Sequence, residues 1–221
     1  MHASMHACGK LADVNDRASE KAYDFTKAAI IRGDYAGGAT LSEGEVCTAL
    51  ELSRTPVHEA FLRLGAEGLL SLEGRKGAVV APMSPRESAD VLEMREAVES
   101  ACAARVCAEG RGAETARSLA AALDEQASAV VSGDVERFVE ADATFHQLVV
   151  AAARNAVADQ VSRLLADRQQ RLRHQLMRVR PDRLALSLDE HRMLAAALAA
   201  DDATAYGAVL HEHVAAHGGA L

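Results

Sequence analysis

Pro56 is the residue that most constrains what this chain can fold into. Proline is tolerated in a helix only within the first turn, where its missing N–H has no partner to lose. An apolar stripe at helical spacing follows it, Val57, Ala60, Phe61 and Leu64, so a helix starts just before it with Ser53 at the N-cap. That start leaves Ser53, Arg54, Thr55 and His58 as polar groups at the exposed beginning of the helix, where side chains can reach into DNA. Upstream, Ala22, Phe25, Ala28, Ala29 and Ile30 predict a helix over 17–33 that ends at Gly33-Asp34. Ser42 and Glu45 stand at capping-box spacing and start a short second helix with Val46, Ala49 and Leu50 on its inner side. Leu69 to Leu72 and Ala78 to Ala81 read as short strands flanking a basic hairpin tip, Glu73-Gly74-Arg75-Lys76-Gly77. Three helices followed by a basic-tipped hairpin predict a winged helix-turn-helix over residues 17–82.

Residues 20–84 resemble the N-terminal domain of the GntR family of bacterial transcription regulators. The resemblance is carried by Leu41-Ser42-Glu43, Ser53-Arg54-Thr55-Pro56-Val57, Glu59-Ala60, Leu62-Arg63-Leu64, Glu67-Gly68-Leu69 and Gly77-Ala78-Val79-Val80. It implies double-stranded operator DNA as a partner. Ser53, Arg54, Thr55 and His58 would lie on bases or phosphates, and Arg75 and Lys76 at the wing tip in the minor groove. The sequence departs from the family at two places, with His58 and Gly44 where arginine is common. Arginine reads guanine bidentately, whereas neutral histidine offers one donor and glycine none. The operator therefore differs from the usual family site, or binding leans on dimer avidity; a solvent-facing His58 without a base contact is the alternative.

Charge bears on this expectation. The chain holds 24 Lys+Arg against 32 Asp+Glu, a net charge of −8. Such an acidic total argues against a non-specific nucleic-acid coat, but phosphate contact depends on local clustering. Arg54, Arg63, Arg75 and Lys76 concentrate on the third helix and the wing, which predicts salt-sensitive DNA binding. No apolar run approaches the roughly 18–20 residues of a membrane span. Residues 1–16 lack the apolar core of a signal peptide and read as a flexible arm. The four cysteines, Cys8, Cys47, Cys102 and Cys107, have no Cys-x-x-Cys spacing and read as reduced thiols of a cytoplasmic protein.

A boundary falls at Pro82-Met83-Ser84-Pro85, with residues 83–86 as linker and Ser84 able to cap the next helix. Residues 87–221 read as an all-helical second domain. Helices near 85–109, 112–131, 134–153, 156–179, 184–200 and 202–217 predict an antiparallel six-helix bundle, so the chain is mostly α. A hydrophobic content of 49% with only 3% aromatic residues suits closely packed helices.

Asp142 and His146, four residues apart, project from one face of a single helix, and His191, His211 and His213 sit on later ones. Such groups can converge on a divalent metal, or stand as a solvated face. Residues 85–217 resemble the ligand-binding FCD domain of the FadR subfamily, through Arg95 with Glu99, Asp142-Ala143-Thr144-Phe145-His146 with Leu148, Asn155, and Glu190-His191-Arg192. The resemblance implies a divalent metal on Asp142, His146, His191 and His213; His211, two residues earlier, points about 200° away around a helix. Zinc is the simplest ion for three His and one Asp, with nickel and manganese fitting the same ligands. Six bundle helices would point to the VanR-like group. Arg95 is the candidate reader of a small carboxylate effector, the alternative being a surface salt bridge with Glu99; Arg171, Arg173 and His174 are further pocket candidates. The expected protein is a homodimeric, ligand-responsive regulator without catalytic activity. A metal-dependent enzyme using the Asp/His cluster and a plain metal sensor are the rival readings.

Overall fold

The computed structural model describes residues 4–73, 77–180 and 182–218, with side chains described from residue 15 to 216 within those ranges. The chain divides into two compact units, Met1–Met83 and Ser84–Leu221.

The first unit is built on three helices, α1 (Ser4–Arg32), α2 (Glu43–Leu50) and α3 (Arg54–Ala66), and three strands, β1 (Thr40–Leu41), β2 (Leu70–Leu72) and β3 (Ala78–Val80). The helix expected from residue 17 starts at Ser4, so residues 4–16 continue α1 instead of forming an arm. It ends as expected at Gly33 (φ 78°), where the Asp34 N–H returns to the Ala29 carbonyl in a left-handed cap. Ser42 forms the anticipated capping box with Glu45 at the start of α2. Ser53 takes the N-cap conformation of α3, but its hydroxyl makes no cap hydrogen bond, contrary to expectation. Both wing strands are present, and β3 lies between β1 and β2 in an antiparallel sheet. The predicted stripe of Val57, Ala60, Phe61 and Leu64 is fully buried against Ala22, Tyr23 and Ile30 of α1. The wing tip, with Arg75 and Lys76, lies outside the described residues.

Among the described residues the second unit contains seven helices: α4 (Pro85–Ala108), α5 (Gly112–Ser118), α6 (Ala120–Ser132), α7 (Val135–Ala152), α8 (Ala156–Val179), α9 (Arg183–Ala199) and α10 (Ala203–Gly218). The count corrects the expected six, because the helix anticipated over 112–131 is broken at Leu119. Here Ser118 Oγ bonds the Thr115 carbonyl and Thr115 Oγ bonds that of Arg111, and hydroxyls that bond back onto the preceding turn bend helices. The helix count therefore gives no ground for the VanR-like placement. Ser84, Asp134 and Asn155 cap α4, α7 and α8 through their side chains. α4 packs on α10, α8 and α7, and α9 on α10, α5 and α6, which brings α4, α7, α9 and α10 around one polar centre.

Candidate functional site

The first unit presents the polar start of α3. Ser53, Arg54, Thr55 and His58 are all exposed, while Pro56 and Val57 between them face the core. Arg54 carries no ion-pair partner among the described residues. His58 is held instead, with Nδ1 2.7 Å from Glu43 Oε1 on α2. Arg63 departs from the expectation of a DNA-facing cation. It lies over the Tyr23 ring at 3.6 Å and bonds Glu20 at 2.8 Å, tying α3 to α1.

The second unit assembles the metal-ligand set anticipated from the sequence. Asp142 and His146 come from α7, His191 from α9 and His213 from α10; all four are buried, and their ligand atoms lie within 4.8 Å of one another. His191 Nε2 is 3.2 Å from His146 Nε2 and 3.3 Å from Asp142 Oδ1. A tetrahedral ion with bonds of about 2.0–2.1 Å holds its ligand atoms about 3.3 Å apart, so these spacings fit one. His211 is exposed and bonds Glu96, away from the cluster, as its helical position requires.

The imidazoles are oriented from behind. His146 Nδ1 meets Glu99 Oε1 at 2.8 Å, His191 Nδ1 meets Gln126 Oε1 at 2.6 Å, and His213 Nδ1 meets Glu190 Oε2 at 2.7 Å. Each partner is an acceptor oxygen, so each Nδ1 carries its proton and each Nε2 turns a lone pair to the shared centre. An independent contact agrees: Arg95 Nη2, which can only donate, lies 2.6 Å from His146 Nε2 and 3.2 Å from His213 Nε2. Glu190 is itself held by Arg183. Tyr206 donates to Glu99 at 2.5 Å.

Electrostatics keep the cluster in the protonation state a metal needs. Burial lowers His146 and His191, aided by the Arg95 charge, with His191 brought down to about 4, so both are neutral at pH 7. Burial alone would raise the Asp142 carboxyl, but the Arg173 guanidinium against it and the Arg95 charge nearby hold it well below the usual carboxylate range. Burial pushes the Arg173 guanidinium down to about 10, still charged at neutral pH.

A pocket opens beside the cluster between α4, α7 and α8. Its cavity volume is about 60 Å³, and Arg95, Glu99, His146, Gln147, Gln169 and Arg173 are among its polar lining. Arg95 is 4% exposed, so its pairing with Glu99 (3.8 Å) is buried and not the surface bridge of the alternative reading. Arg173 is the main pocket group that sequence reasoning left uncommitted, and Gln126 was not considered. Both sit on apolar stripes, Arg173 beside Leu172, Leu176 and Met177, Gln126 between Ala122 and Ala129. A polar group inside such a stripe is the signal that would have found them.

A winged helix-turn-helix joined to a helical domain with a buried ligand-type pocket defines a class, the ligand-responsive DNA-binding regulators. Residues 18–80 match the bacterial regulatory proteins of the gntR family, and residues 90–216, more than half the chain, match the FCD domain. The chain belongs to the GntR family of bacterial transcriptional regulators, with an FCD-type ligand domain; such regulators are not catalytic. It is 32% identical over 134 residues to an uncharacterized HTH-type transcriptional regulator of Agrobacterium vitis, covering 60% of this chain and 78% of that protein. It is 36% identical over 135 residues to a probable D-xylose utilization operon transcriptional repressor of Paenarthrobacter nicotinovorans, covering 60% of this chain and 58% of the relative. The solved structure of Escherichia coli McbR/YncC shares the fold, with a TM-score of 0.73 at 22% identity over 90% of this chain and 93% of that one.

Proposed function

We propose that this regulator binds operator DNA as a homodimer and responds to a small carboxylate metabolite held at a divalent metal. The observation that carries the proposal is the convergence of Asp142, His146, His191 and His213 on one point at the edge of a pocket walled by Arg95 and Arg173. Three neutral imidazoles and one carboxylate suit zinc, and nickel or manganese accept the same set. The bound ion would supply positive charge and open coordination positions. With it, the two arginines and the ion outweigh Asp142 and Glu99, so the pocket wall is positive and calls for an anion. Arg95 Nη2 now lies on the His146 and His213 Nε2 lone pairs, so an ion would displace it from them. Its planar guanidinium would then be released to a carboxylate, with Gln169 on the same wall. Placement in the FadR subfamily rests on the FCD-type domain.

On DNA, two copies would set Ser53, Arg54, Thr55 and His58 of each α3 into successive major grooves of a pseudo-palindromic site, with Arg75 and Lys76 in the flanking minor groove. The effector would act through the junction around Pro82 to Pro85, and operator DNA would weaken effector binding by the same factor. Repression is the direction favoured, following the name of the xylose-operon relative.

The test is an anisotropy titration with DNA from upstream of the chain's own gene at low and moderate salt, repeated with a panel of carboxylic acids. Salt-sensitive binding, lost in Arg54→Ala and released by a carboxylate only when zinc is present, is expected. Release that is indifferent to metal chelation would refute the metal–carboxylate reading. Release by zinc alone would point to a plain metal sensor.

A further inference from the structure

The reading end of α3 contains a pair that the recognition scheme above does not use. His58 lies one helical turn after Arg54, on the same exposed edge, and its side chain is 58% exposed. Its Nδ1 is 2.7 Å from Oε1 of Glu43, the first residue of α2. A carboxylate only accepts, so in the neutral ring the shared proton sits on Nδ1 and Nε2, on the opposite side of the imidazole, carries a lone pair. Without Glu43 the ring is free to take either tautomer, and Nε2 is then a donor or an acceptor as its partner demands. The next residue, Gly44, brings no side chain that could supply a competing cation.

We infer that Glu43 is a positioning residue that sets the base preference of the regulator by fixing His58 as a hydrogen-bond acceptor. In the major groove, guanine offers only acceptors, N7 and O6, whereas adenine and cytosine each offer an exocyclic amino group. An acceptor Nε2 therefore pairs with adenine N6 or cytosine N4 of the strand it overlies and is unpaired against guanine or thymine at that place. This inference rests on the proposal that α3 enters the major groove, and it goes beyond that proposal by assigning the chemical class of base beneath one residue.

The experiment is selection from a library of randomised operator half-sites with the full chain at about pH 8, above the ordinary imidazole range. It is repeated with Glu43→Gln, His58→Arg and Arg54→Ala. The wild-type protein is expected to show one position per half-site that favours adenine or cytosine over guanine by on the order of tenfold, the lower part of the range for a good base contact. In Glu43→Gln, whose amide serves either tautomer, discrimination at that position falls to about twofold while the other positions keep theirs. In His58→Arg the same position turns to guanine.

A purely structural role for Glu43 at the start of α2 would weaken binding to all sequences alike and lower the melting temperature, leaving the base preference unmoved; that result overturns the inference. So does a wild-type preference for guanine at the position that responds to His58→Arg. Arg54→Ala separates the two levels. If it leaves binding intact, α3 does not read DNA and the underlying proposal fails; if it abolishes binding, the comparison at the His58 position stands as the test.

Discussion

Replacing Gln126 by leucine separates the metal site from the fold that holds it. Gln126 is fully buried on α6 and accepts the His191 Nδ1 proton at 2.6 Å, while its own Nε2 has no hydrogen-bond partner. Leucine removes the acceptor, so His191 is free to move its proton to Nε2 and withdraw the lone pair it directs at the cluster. Outer partners of ligating histidines contribute about 10- to 100-fold in metal affinity, which corresponds to about 1.4–2.7 kcal/mol. The metal-free protein changes less. It loses a bond worth about 0.5–1.5 kcal/mol and leaves one imidazole donor unpaired, but it also sheds a buried amide whose unpaired state costs about 1–3 kcal/mol. Thermal melts in chelator should therefore agree with wild type to about 1 kcal/mol. With zinc in excess, the metal-induced stabilisation should shrink by about 1.4 kcal/mol for each tenfold loss of affinity. Competition with a chromophoric chelator measures that affinity directly. An unchanged zinc Kd in a folded Gln126→Leu protein would refute the claim that His191 is oriented from behind for an ion.

Other substitutions and conditions test neighbouring parts of the argument. Arg173→Met leaves Asp142 as a buried carboxylate without its guanidinium, a loss of about 3–5 kcal/mol in chelator that zinc should largely restore, so the zinc-induced rise in melting temperature should exceed that of wild type; an equal or smaller rise would contradict the shared role of ion and arginine. Acid should destabilise the metal-free protein from about pH 6.5 downward, because the unfolded chain protonates histidines near 6.5 while His146 and His191, lowered when folded, do not. The stability they contribute is fully present above that value and falls towards pH 4 by at most about 2.7 kcal/mol per unit for the two; urea midpoints that stay constant between pH 7 and 5 would disprove it. Gly112→Ala puts a Cβ 1.8 Å from the Leu198 carbonyl oxygen, and Asp201 already holds the Gly112 N–H, so the α5 start has little room to yield. A loss of about 1–3 kcal/mol or more is expected in chemical denaturation, and a neutral effect would mean that the contact between α5 and α9 is loose.

The elements most legible in the sequence were those fixed by local chemistry. Pro56 and the stripe from Val57 to Leu64 located α3, the Ser42–Glu45 box located α2, and Gly33 ended α1. The break at Leu119 was not legible, because its cause is two hydroxyls turning onto their own helix, and residues 112–131 carry neither proline nor interior glycine to announce it. Strand β1 is two residues long, and only its pairing with β3 makes it a strand. In the candidate site, the grouping of Asp142, His146, His191 and His213 followed from resemblance more than spacing, since an Asp and a His four apart look the same on a wet surface. Their supports, Glu99, Gln126 and Glu190, depend on which helices meet, and that is decided by packing across 23 to 65 residues of chain. The contacts of Arg63 were hidden for the same reason: charge was visible, but the Tyr23 ring it covers was not.

The division of labour among the bundle helices has a consequence for how such a regulator diversifies. The four residues of the proposed metal site stand on α7, α9 and α10, whereas one wall of the pocket, Ser162, Leu165, Ala166, Gln169 and Gln170, belongs to α8. Substitutions along that wall reshape the volume offered to a small molecule without moving a ligand atom of the cluster. Arg173, on the same helix but in contact with Asp142, marks where that freedom stops. On the proposed function, a lineage could trade one effector for another by drift along a single helix while the Asp/His cluster stays fixed.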